Sequence, residues 1–399
     1  MEVKIEKLDN YGRGIAYINN KICFIENTLP NEIVNIDIKE EHSKYNIGNL
    51  ISIKESSPIR IEEECSYSNL CGGCNLNHIC YNEENKFKKD KIKNLLKIYS
   101  RIEDEKINNI IYHDRNYYRN KITLHGNEGT IGLYKKNTND IIPIQECLLV
   151  NQKINEMIRS LSHQENEIEE VIIKTSNDNK EIMISIKGKI SNIEELKKQC
   201  NVLIISDKYL TDQQQIITSI GNKKYYESIN SFFQVNNSLT KELYDEVLNE
   251  IKEKNYNKVL DLYCGTGTIG IYISEYIKEI IGIDYNKSNI KDANKNKDLN
   301  HIGNISFICD KVENQIDKFK NIDCIIVDPP RAGLDSKTRE YIKKINPKEI
   351  IYVSCDPITL ARDLKVLQTN YQVKKVTPFN MFPRTYHVEC VCLLMKKKS

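Results

Sequence analysis

The chain lacks the features that would place it outside ordinary folded proteins. No apolar run approaches the roughly 20 residues needed to cross a bilayer, which excludes a helical membrane protein. The first residues, Met-Glu-Val-Lys-Ile-Glu, show none of the basic, apolar and small-residue succession of an export signal. A cytoplasmic protein without a membrane partner is expected. There is no excess of one charge: 58 Lys and Arg against 56 Asp and Glu leave a net charge of +2. Any affinity for nucleic acid must therefore come from local basic patches rather than a global field. The seven histidines show no metal-ligand spacing. Abundant Lys, Asn and Ile lower the hydropathy without creating a long repeat or a low-complexity block.

What is present is length and cysteine. At 399 residues the chain exceeds one typical domain, and two or three are expected. Thirteen cysteines would form a disulfide framework in a small secreted protein, but here they are spread through a long chain without an export signal. Metal ligation, chemistry and burial must divide them.

The patterning suggests three regions. Residues 1–57 carry short β-rich runs (Gly14–Ile18, Lys21–Ile25, Glu32–Ile38, Gly48–Ile53) around turns such as Asn19-Asn20, the rhythm of a small β-barrel. Residues 58–225 open on a cysteine-rich stretch and an amphipathic helix over Asn85–Ile98, then mix strand-like runs (Lys121–His125, Val171–Lys174, Glu181–Ile186) with helical ones, an α+β pattern. Residues 226–399 alternate strand and helix, with strands at Val259–Leu262, Ile280–Asp284, Ile305–Cys309, Cys324–Asp328 and Ile350–Ser354. That alternation is the mark of an α/β, doubly wound parallel sheet of the Rossmann type.

Within the last region, Asp261-Leu-Tyr-Cys-Gly-Thr-Gly267 joins a strand to a helix through two glycines, where the backbone must turn sharply and approach a ligand. The next strand ends in Asp284, placed to accept hydrogen bonds from ribose hydroxyls. The third glycine of a dinucleotide loop is missing, which favours a nucleoside without pyrophosphate. S-adenosylmethionine fits.

Cys355 follows the apolar run Ile-Tyr-Val-Ser and lies downstream of Asp328-Pro-Pro-Arg331. A thiol at the mouth of a parallel sheet is placed to attack a substrate, although a lone cysteine is more often a small buried side chain. Uracil C5 is a poor nucleophile; thiolate addition at C6 creates an enolate that lets C5 attack an electrophilic methyl group. A free thiol has a pKa of about 8.5, so the site must stabilise the thiolate or deprotonate it during attack. After transfer a base must remove the C5 proton before the thiol leaves, and a carboxylate such as Glu389 suits that role.

Four ordered segments, Asp261-Leu-Tyr-Cys-Gly-Thr-Gly-Thr-Ile-Gly, Val327-Asp-Pro-Pro-Arg-Ala-Gly-Leu, Val353-Ser-Cys-Asp-Pro and Phe382-Pro-Arg-Thr-Tyr-His-Val-Glu, resemble the motifs of the S-adenosylmethionine-dependent RNA uracil-5-methyltransferases. The resemblance spans nearly the whole chain. It implies Cys355 as nucleophile and Glu389 as base, with Gln234, Tyr263, Thr268, Asp284 and Asp310 at cofactor-contacting positions and Asp328 between cofactor and target base. Family members often carry Asn after the nucleophile; here Asp356 adds a carboxylate beside the thiol. His387, two residues before Glu389, would share its face on a strand.

Cys65, Cys71 and Cys74 have the close spacing of metal thiolates. Cys80 is a near candidate for the fourth ligand, whereas the resemblance implies Cys147 and a [4Fe-4S] cluster; zinc is the competing metal, since four thiolates suit it equally. The first 57 residues resemble the TRAM domain, an RNA-holding barrel, with Tyr11, Arg13, Tyr17 and Phe24 as candidate surface groups. Arg119 and Lys121, beside Tyr117 and Tyr118, are candidate RNA contacts near the family's target-loop positions. By the resemblance, the barrel and the cysteine motif together point to 23S ribosomal RNA as the substrate; a monomeric enzyme is expected. The alternatives are transfer RNA, and a non-catalytic iron-sulfur protein that binds RNA.

Overall fold

The computed structural model describes residues 1–162 and 166–398. The chain forms two compact units: unit 1 comprises 1–91, 134–140 and 382–387, and unit 2 comprises 92–133, 141–381 and 388–399. Among the described residues no helix is long and apolar enough to cross a membrane.

Unit 1 is built on strands β1 (Glu2–Lys4), β2 (Lys7–Leu8), β3 (Gly14–Ile18), β4 (Lys21–Ile25), β5 (Ile33–Glu41) and β6 (Tyr45–Glu55). They form a six-stranded sheet in the order β1-β5-β6-β4-β3-β2. Alternation turns Ala16, Cys23, Ile25, Val34 and Ile36 onto one face, where they close over Ile5 in a buried core. Asn19 and Asn20 both take positive φ, the conformation a two-residue hairpin turn between β3 and β4 requires. Helix α1 (Tyr81–Ser100) extends the Asn85–Ile98 expectation at both ends.

Unit 2 contains two large sheets. Strands β7 (Lys121–Asn127), β8 (Thr130–Tyr134), β9 (Ile141–Pro143), β10 (Asn166–Thr175), β11 (Ile182–Ile190), β12 (Val202–Ile205) and β13 (Lys208–Tyr209), with helices α2 (Gln152–Ser162) and α3 (Ile193–Gln199), make a seven-stranded sheet in the order β13-β12-β11-β10-β7-β8-β9. A hairpin of β14 (Ile216–Ile220) and β15 (Lys223–Glu227) follows, then α4 (Asn237–Ile251), whose N-cap Asn236 accepts the Leu239 N–H through its side chain.

The second large sheet alternates strand and helix: β16 (Lys258–Leu262), α5 (Thr268–Ile273), β17 (Glu279–Asp284), α6 (Lys287–Leu299), β18 (Ile305–Cys309), α7 (Val312–Gln315), β19 (Cys324–Val327), α8 (Ser336–Ile345), β20 (Glu349–Ser354), α9 (Pro357–Leu367), β21 (Tyr371–Phe379) and β22 (Glu389–Lys396). Its order is β18-β17-β16-β19-β20-β22-β21. The five expected strands are parallel and start or end within one residue of their expected bounds. The structure adds an antiparallel pair, β22 against β20 and β21 against β22. Leu260, Leu262, Ile281, Ile283, Ile325 and Val327 join Leu360 and Leu364 of α9 in one buried cluster, so both the sheet and its helices are fixed by apolar burial. The strand order reverses between β16 and β19, and a doubly wound sheet opens its ligand crevice at such a switch point, beyond the carboxyl ends of the strands.

Candidate active site

The carboxyl end of β16 leads into the first half of the site. Tyr263, directly after the strand, has φ 63°, and Gly265 and Gly267 have φ 55° and 76°. Three left-handed residues in five produce a tight, strained turn of the kind functional loops store. A Cβ on Gly267 would lie 2.5 Å from the Phe307 ring, and one on Gly270 would lie 2.9 Å from Asp261 Oδ2. Space as well as conformation therefore demands glycine at these positions. Buried Asp261 accepts the Gly270 N–H at 3.1 Å and ties the strand to α5. Burial pushes its carboxyl up to about 7, with the charges of Asp328 and Asp284 adding to the rise.

Asp284, at the end of β17, is buried and accepts the N–H groups of Gly265 at 3.1 Å and Asn286 at 2.8 Å. It thus fixes the glycine loop to the neighbouring strand. Asp310, just after β18, is held by the Lys311 N–H, Asn314 and Gln315, contacts that lower its carboxyl below the ordinary range. Its own N–H donates to the Asp284 carbonyl at 3.1 Å, so the two residues mark adjacent strand ends. The Tyr263 hydroxyl lies 3.5 Å from Asp335 Oδ2, and burial pushes its phenol up to about 12.

Thr268 opens α5 and is gripped from two sides. The Tyr244 hydroxyl donates to Thr268 Oγ1 at 2.8 Å, and the Tyr225 hydroxyl donates to its carbonyl at 3.2 Å. Both tyrosines are buried, and burial raises both phenols far above the ordinary range, with Asp328 and Glu389 adding to the effect on Tyr244. Tyr244 therefore stays a neutral donor facing the carboxylates of the site. Sequence reasoning missed it, because on a helix of amphipathic pattern it reads as a core aromatic.

The second half of the site is the edge where β20 meets β22. Ser354 pairs with Cys390 in that antiparallel ladder, and the next position outward on each strand is Cys355 on one side and Glu389 on the other. Cys355 is half-buried. Burial first, then the charges of Glu389 and Asp328, push its thiol up to about 12, while Arg331 pulls it down. Glu389 is buried, and its Oε2 has no hydrogen-bond partner. Burial and then Asp328 raise its carboxyl to about 8. Burial likewise raises Asp328 to about 7. Orphaned buried polar atoms are rare in folded proteins and mark places where a ligand belongs.

Asp356 occupies a role that its sequence reading did not assign. It is the N-cap of α9, its Oδ1 accepting the N–H groups of Ile358 and Thr359 at 2.9 Å each. Its negative charge is the weakest of those acting on the Cys355 thiol. The carboxylate is engaged by the helix end, where an anion is stabilised. His387 lies ahead of β22, within unit 1, its ring 4.2 Å from that of Tyr386.

Gln234 is buried with its Oε1 unpartnered, in the segment leading to α4. Asn120 holds that segment: its N–H donates to the Val235 carbonyl at 3.0 Å and its side chain to the Gln234 carbonyl at 3.4 Å. Arg119 and Lys121 flank Asn120, and Arg119 bridges Asn236. Buried Lys174 anchors the same loop by donating to the carbonyls of Ser228 at 2.9 Å and Ser231 at 2.8 Å. Burial and the neighbouring Lys174 charge lower the Lys121 ammonium, a state that an incoming anion would reverse.

Cys65, Cys71 and Cys74 belong to unit 1 and Cys147 to unit 2. The Gly73 N–H points at Cys71 Sγ at 3.3 Å, and burial raises the Cys71 thiol, to which Cys65 adds. Half-buried thiols with a backbone donor are suitable chemistry for a thiolate-bound metal. Among the described residues, however, no group of three or more His, Cys, Asp or Glu is placed to hold one metal ion, so no step of the chemistry is routed through a cluster.

Comparison with known proteins agrees with this architecture. The family model described as tRNA (Uracil-5-)-methyltransferase matches residues 80–397, and the TRAM domain model matches residues 1–51. An uncharacterized RNA methyltransferase of Clostridium acetobutylicum is 33% identical, covering 99% of this chain and 96% of its own. One from Staphylococcus epidermidis is 29% identical over 99% and 97%. Among solved structures, the Pyrococcus abyssi tRNA (uracil-54, C5)-methyltransferase in complex with S-adenosyl-L-homocysteine superposes with a TM-score of 0.80 at 25% identity, covering 99% of this chain and all of that one.

Proposed function

The chain belongs to the tRNA (uracil-5-)-methyltransferase family, and from that membership we propose that it methylates uracil C5 in RNA through a covalent bond between Cys355 and C6. The observation that carries the reading is the juxtaposition at the end of the β20–β22 ladder: a thiol and a buried carboxylate with an unpartnered oxygen, both acted on by Asp328. Bound S-adenosylmethionine supplies the electrophilic methyl group. Asp284, Thr268, Tyr263, Asp310 and Gln234 would hold it, and by the family resemblance Asp328 would stand between it and the target base.

The chain's own groups then manage protons. The proton of the partly exposed Cys355 thiol passes to solvent water as sulfur bonds to C6, and the electron pair of the C5–C6 double bond becomes the enolate whose C5 takes the methyl group. Glu389, deprotonated, accepts the C5 proton; the returning electron pair restores the double bond and expels the thiolate. A uracil within folded RNA must be extruded to reach Cys355, and Arg119 and Lys121 are read as phosphate contacts that hold the loop. RNA carrying 5-fluorouridine tests the mechanism, since fluorine at C5 cannot leave as a proton. A covalent adduct that forms with the parent protein and is absent in Cys355→Ser is expected; no adduct with the parent protein sinks the mechanism.

The finer substrate reading is 23S ribosomal RNA, supported by the presence of both the barrel and the cysteine motif. Transfer RNA is the second reading, favoured by the whole-length likeness to the Pyrococcus abyssi transfer-RNA enzyme. Mapping 5-methyluridine in both RNAs from a deletion strain separates them. A [4Fe-4S] cluster on Cys65, Cys71, Cys74 and Cys147 rests on cysteine spacing and resemblance. Iron and sulfide assays of anaerobically purified protein test it; zinc in place of iron would replace the cluster with a structural ion.

A further inference from the structure

Inside unit 2, Lys174 near the end of β10 and Glu227 at the end of β15 form a fully buried ion pair, with 3.2 Å between Nζ and Oε1. Such a pair seldom adds net stability, because apolar residues of similar volume serve as well without the desolvation of two charges. This one carries further costs. Lys121 is registered directly opposite Lys174 in the β7–β10 ladder, where like charges repel, and Glu227 Oε2 is buried without a hydrogen-bond partner. Packing of the core gives no reason to keep two charges there.

The reason lies in what the ammonium grips. Its three N–H groups meet Glu227 Oε1 and the carbonyls of Ser228 at 2.9 Å and Ser231 at 2.8 Å, so every acceptor comes from residues 227–231. The Ser231 hydroxyl closes that turn by donating to the Ser228 carbonyl at 2.7 Å. Ser228 Oγ donates to Asp292 of α6 at 2.7 Å, and α6 reaches the glycine loop through Asn296, whose Nδ2 donates to the Thr266 carbonyl at 3.3 Å. Residues 228–234 form neither helix nor strand, so these contacts set the course of the segment. Gln234 lies three residues beyond Ser231, where Asn120 holds its carbonyl. An ammonium donates to carbonyls more strongly than a neutral group does, and that grip is what the buried pair provides.

We infer that Lys174 is a positioning residue for the cofactor: by holding the carbonyls of Ser228 and Ser231 it fixes the segment that carries Gln234 relative to the glycine loop. Glu227 is the counter-ion that allows a charged donor to be buried at that point. The inference rests on the reading of Gln234 as a contact of S-adenosylmethionine, and it assigns part of the cofactor affinity to a pair that is itself sealed from solvent.

The test uses the full-length protein, with S-adenosyl-L-homocysteine binding followed by calorimetry and stability by thermal melting. Lys174→Met/Glu227→Leu removes both charges at similar volume, so its melting midpoint should stay within a few degrees of the parent. Its affinity should nevertheless fall by about tenfold or more, because the Ser231 carbonyl loses a charged donor. Glu227→Gln leaves the ammonium on both carbonyls and should lose stability while binding within about threefold of the parent. Recovery of stability without recovery of affinity is the signature that a purely structural pair would not give. The proposal is overturned if the double variant binds within twofold of the parent, if it fails to fold, which would make the pair part of the core, or if Glu227→Gln loses as much affinity as the double variant. Gln234→Ala separates the two readings. If it binds like the parent, the reading of Gln234 as a cofactor contact falls and this inference with it; if it binds weakly while the double variant binds normally, only the positioning role of Lys174 falls.

Discussion

Cys355 and Glu389 occupy the positions next to the last bridged pair of the β20–β22 ladder, Ser354 with Cys390, and the Glu389 charge acts on the Cys355 thiol. Antiparallel pairing, rather than nearness in sequence, brings the thiol and the carboxylate together. The proposed mechanism separates their duties: in it the thiol acts before methyl transfer and the carboxylate after it. Glu389→Gln should therefore permit attack and methylation but block release. Denaturing gels with ordinary, unfluorinated RNA should show a covalent RNA–protein species accumulating in this variant, while turnover falls by at least about a hundredfold, within the range general-base catalysis supplies. A variant that turns over slowly with no trapped species would remove Glu389 from the proton-abstraction step.

The same burial gives opposite pH dependences for rate and stability. Cys355 is pushed up to about 12 and Glu389 to about 8, so both reactive forms are scarce at pH 7. We expect kcat to rise from pH 6 to pH 9, and the inflection near 8 to vanish in the residual turnover of Glu389→Gln.

Stability runs the other way. Folded Asp261, Asp328 and Glu389, raised to about 7, 7 and 8, keep protons that the unfolded chain gives up near its ordinary value of about 4. Their contribution is fully present below that value and is lost as pH rises through 7 to 8. Melting of the ligand-free protein should fall over this window, and Asp261→Asn and Glu389→Gln should flatten the fall.

Asp356 is a helix cap beside a nucleophile, and its substitutions should behave accordingly. Asp356→Ala removes the acceptor for two α9 amides and should cost about 1 kcal/mol, a fall of a few degrees in Tm. Asp356→Asn keeps the cap and should leave both stability and kcat/KM within about twofold of the parent. A large rise in kcat/KM for Asn would instead give the Asp356 charge control over the thiol.

Legibility in the sequence followed the range of the interactions involved. Gly14–Ile18, Lys21–Ile25 and Ile305–Cys309 could be read to the residue, because local alternation and flanking turn residues define such strands. The tight loop after β16 was legible because its glycines answer to backbone geometry in one short segment. The capping role of Asp356 was missed because attention fell on its charge beside the thiol, although Asp followed by Pro-x-Thr is also a cap signature. The membership of residues 382–387 in unit 1 depends on contacts across hundreds of residues. Arg384, for example, is buried in unit 1 with its N–H on Glu84 and its guanidinium on Asn77 and Glu64, and no periodicity announces such a place.

Tyr244 is the clearest residue of that hidden kind, and it gives a test of the cofactor half of the site. Its hydroxyl donates to Thr268 Oγ1, which leaves the Thr268 hydrogen free to donate onward to an anionic group such as the cofactor's carboxylate. Removing one neutral hydrogen bond changes affinity by about 0.5–1.5 kcal/mol, so Tyr244→Phe should weaken S-adenosyl-L-homocysteine binding about two- to tenfold. The ring and its edge-on contact with Tyr272, 5.6 Å away, are retained in Phe, and the thermal midpoint should move little. Thr268→Val should weaken binding at least as much, and the double variant should lose no more than Thr268→Val alone, since Tyr244 acts only through that hydroxyl. Additive losses, measured by calorimetry, would show the two residues working independently and would leave Tyr244 as a packing aromatic.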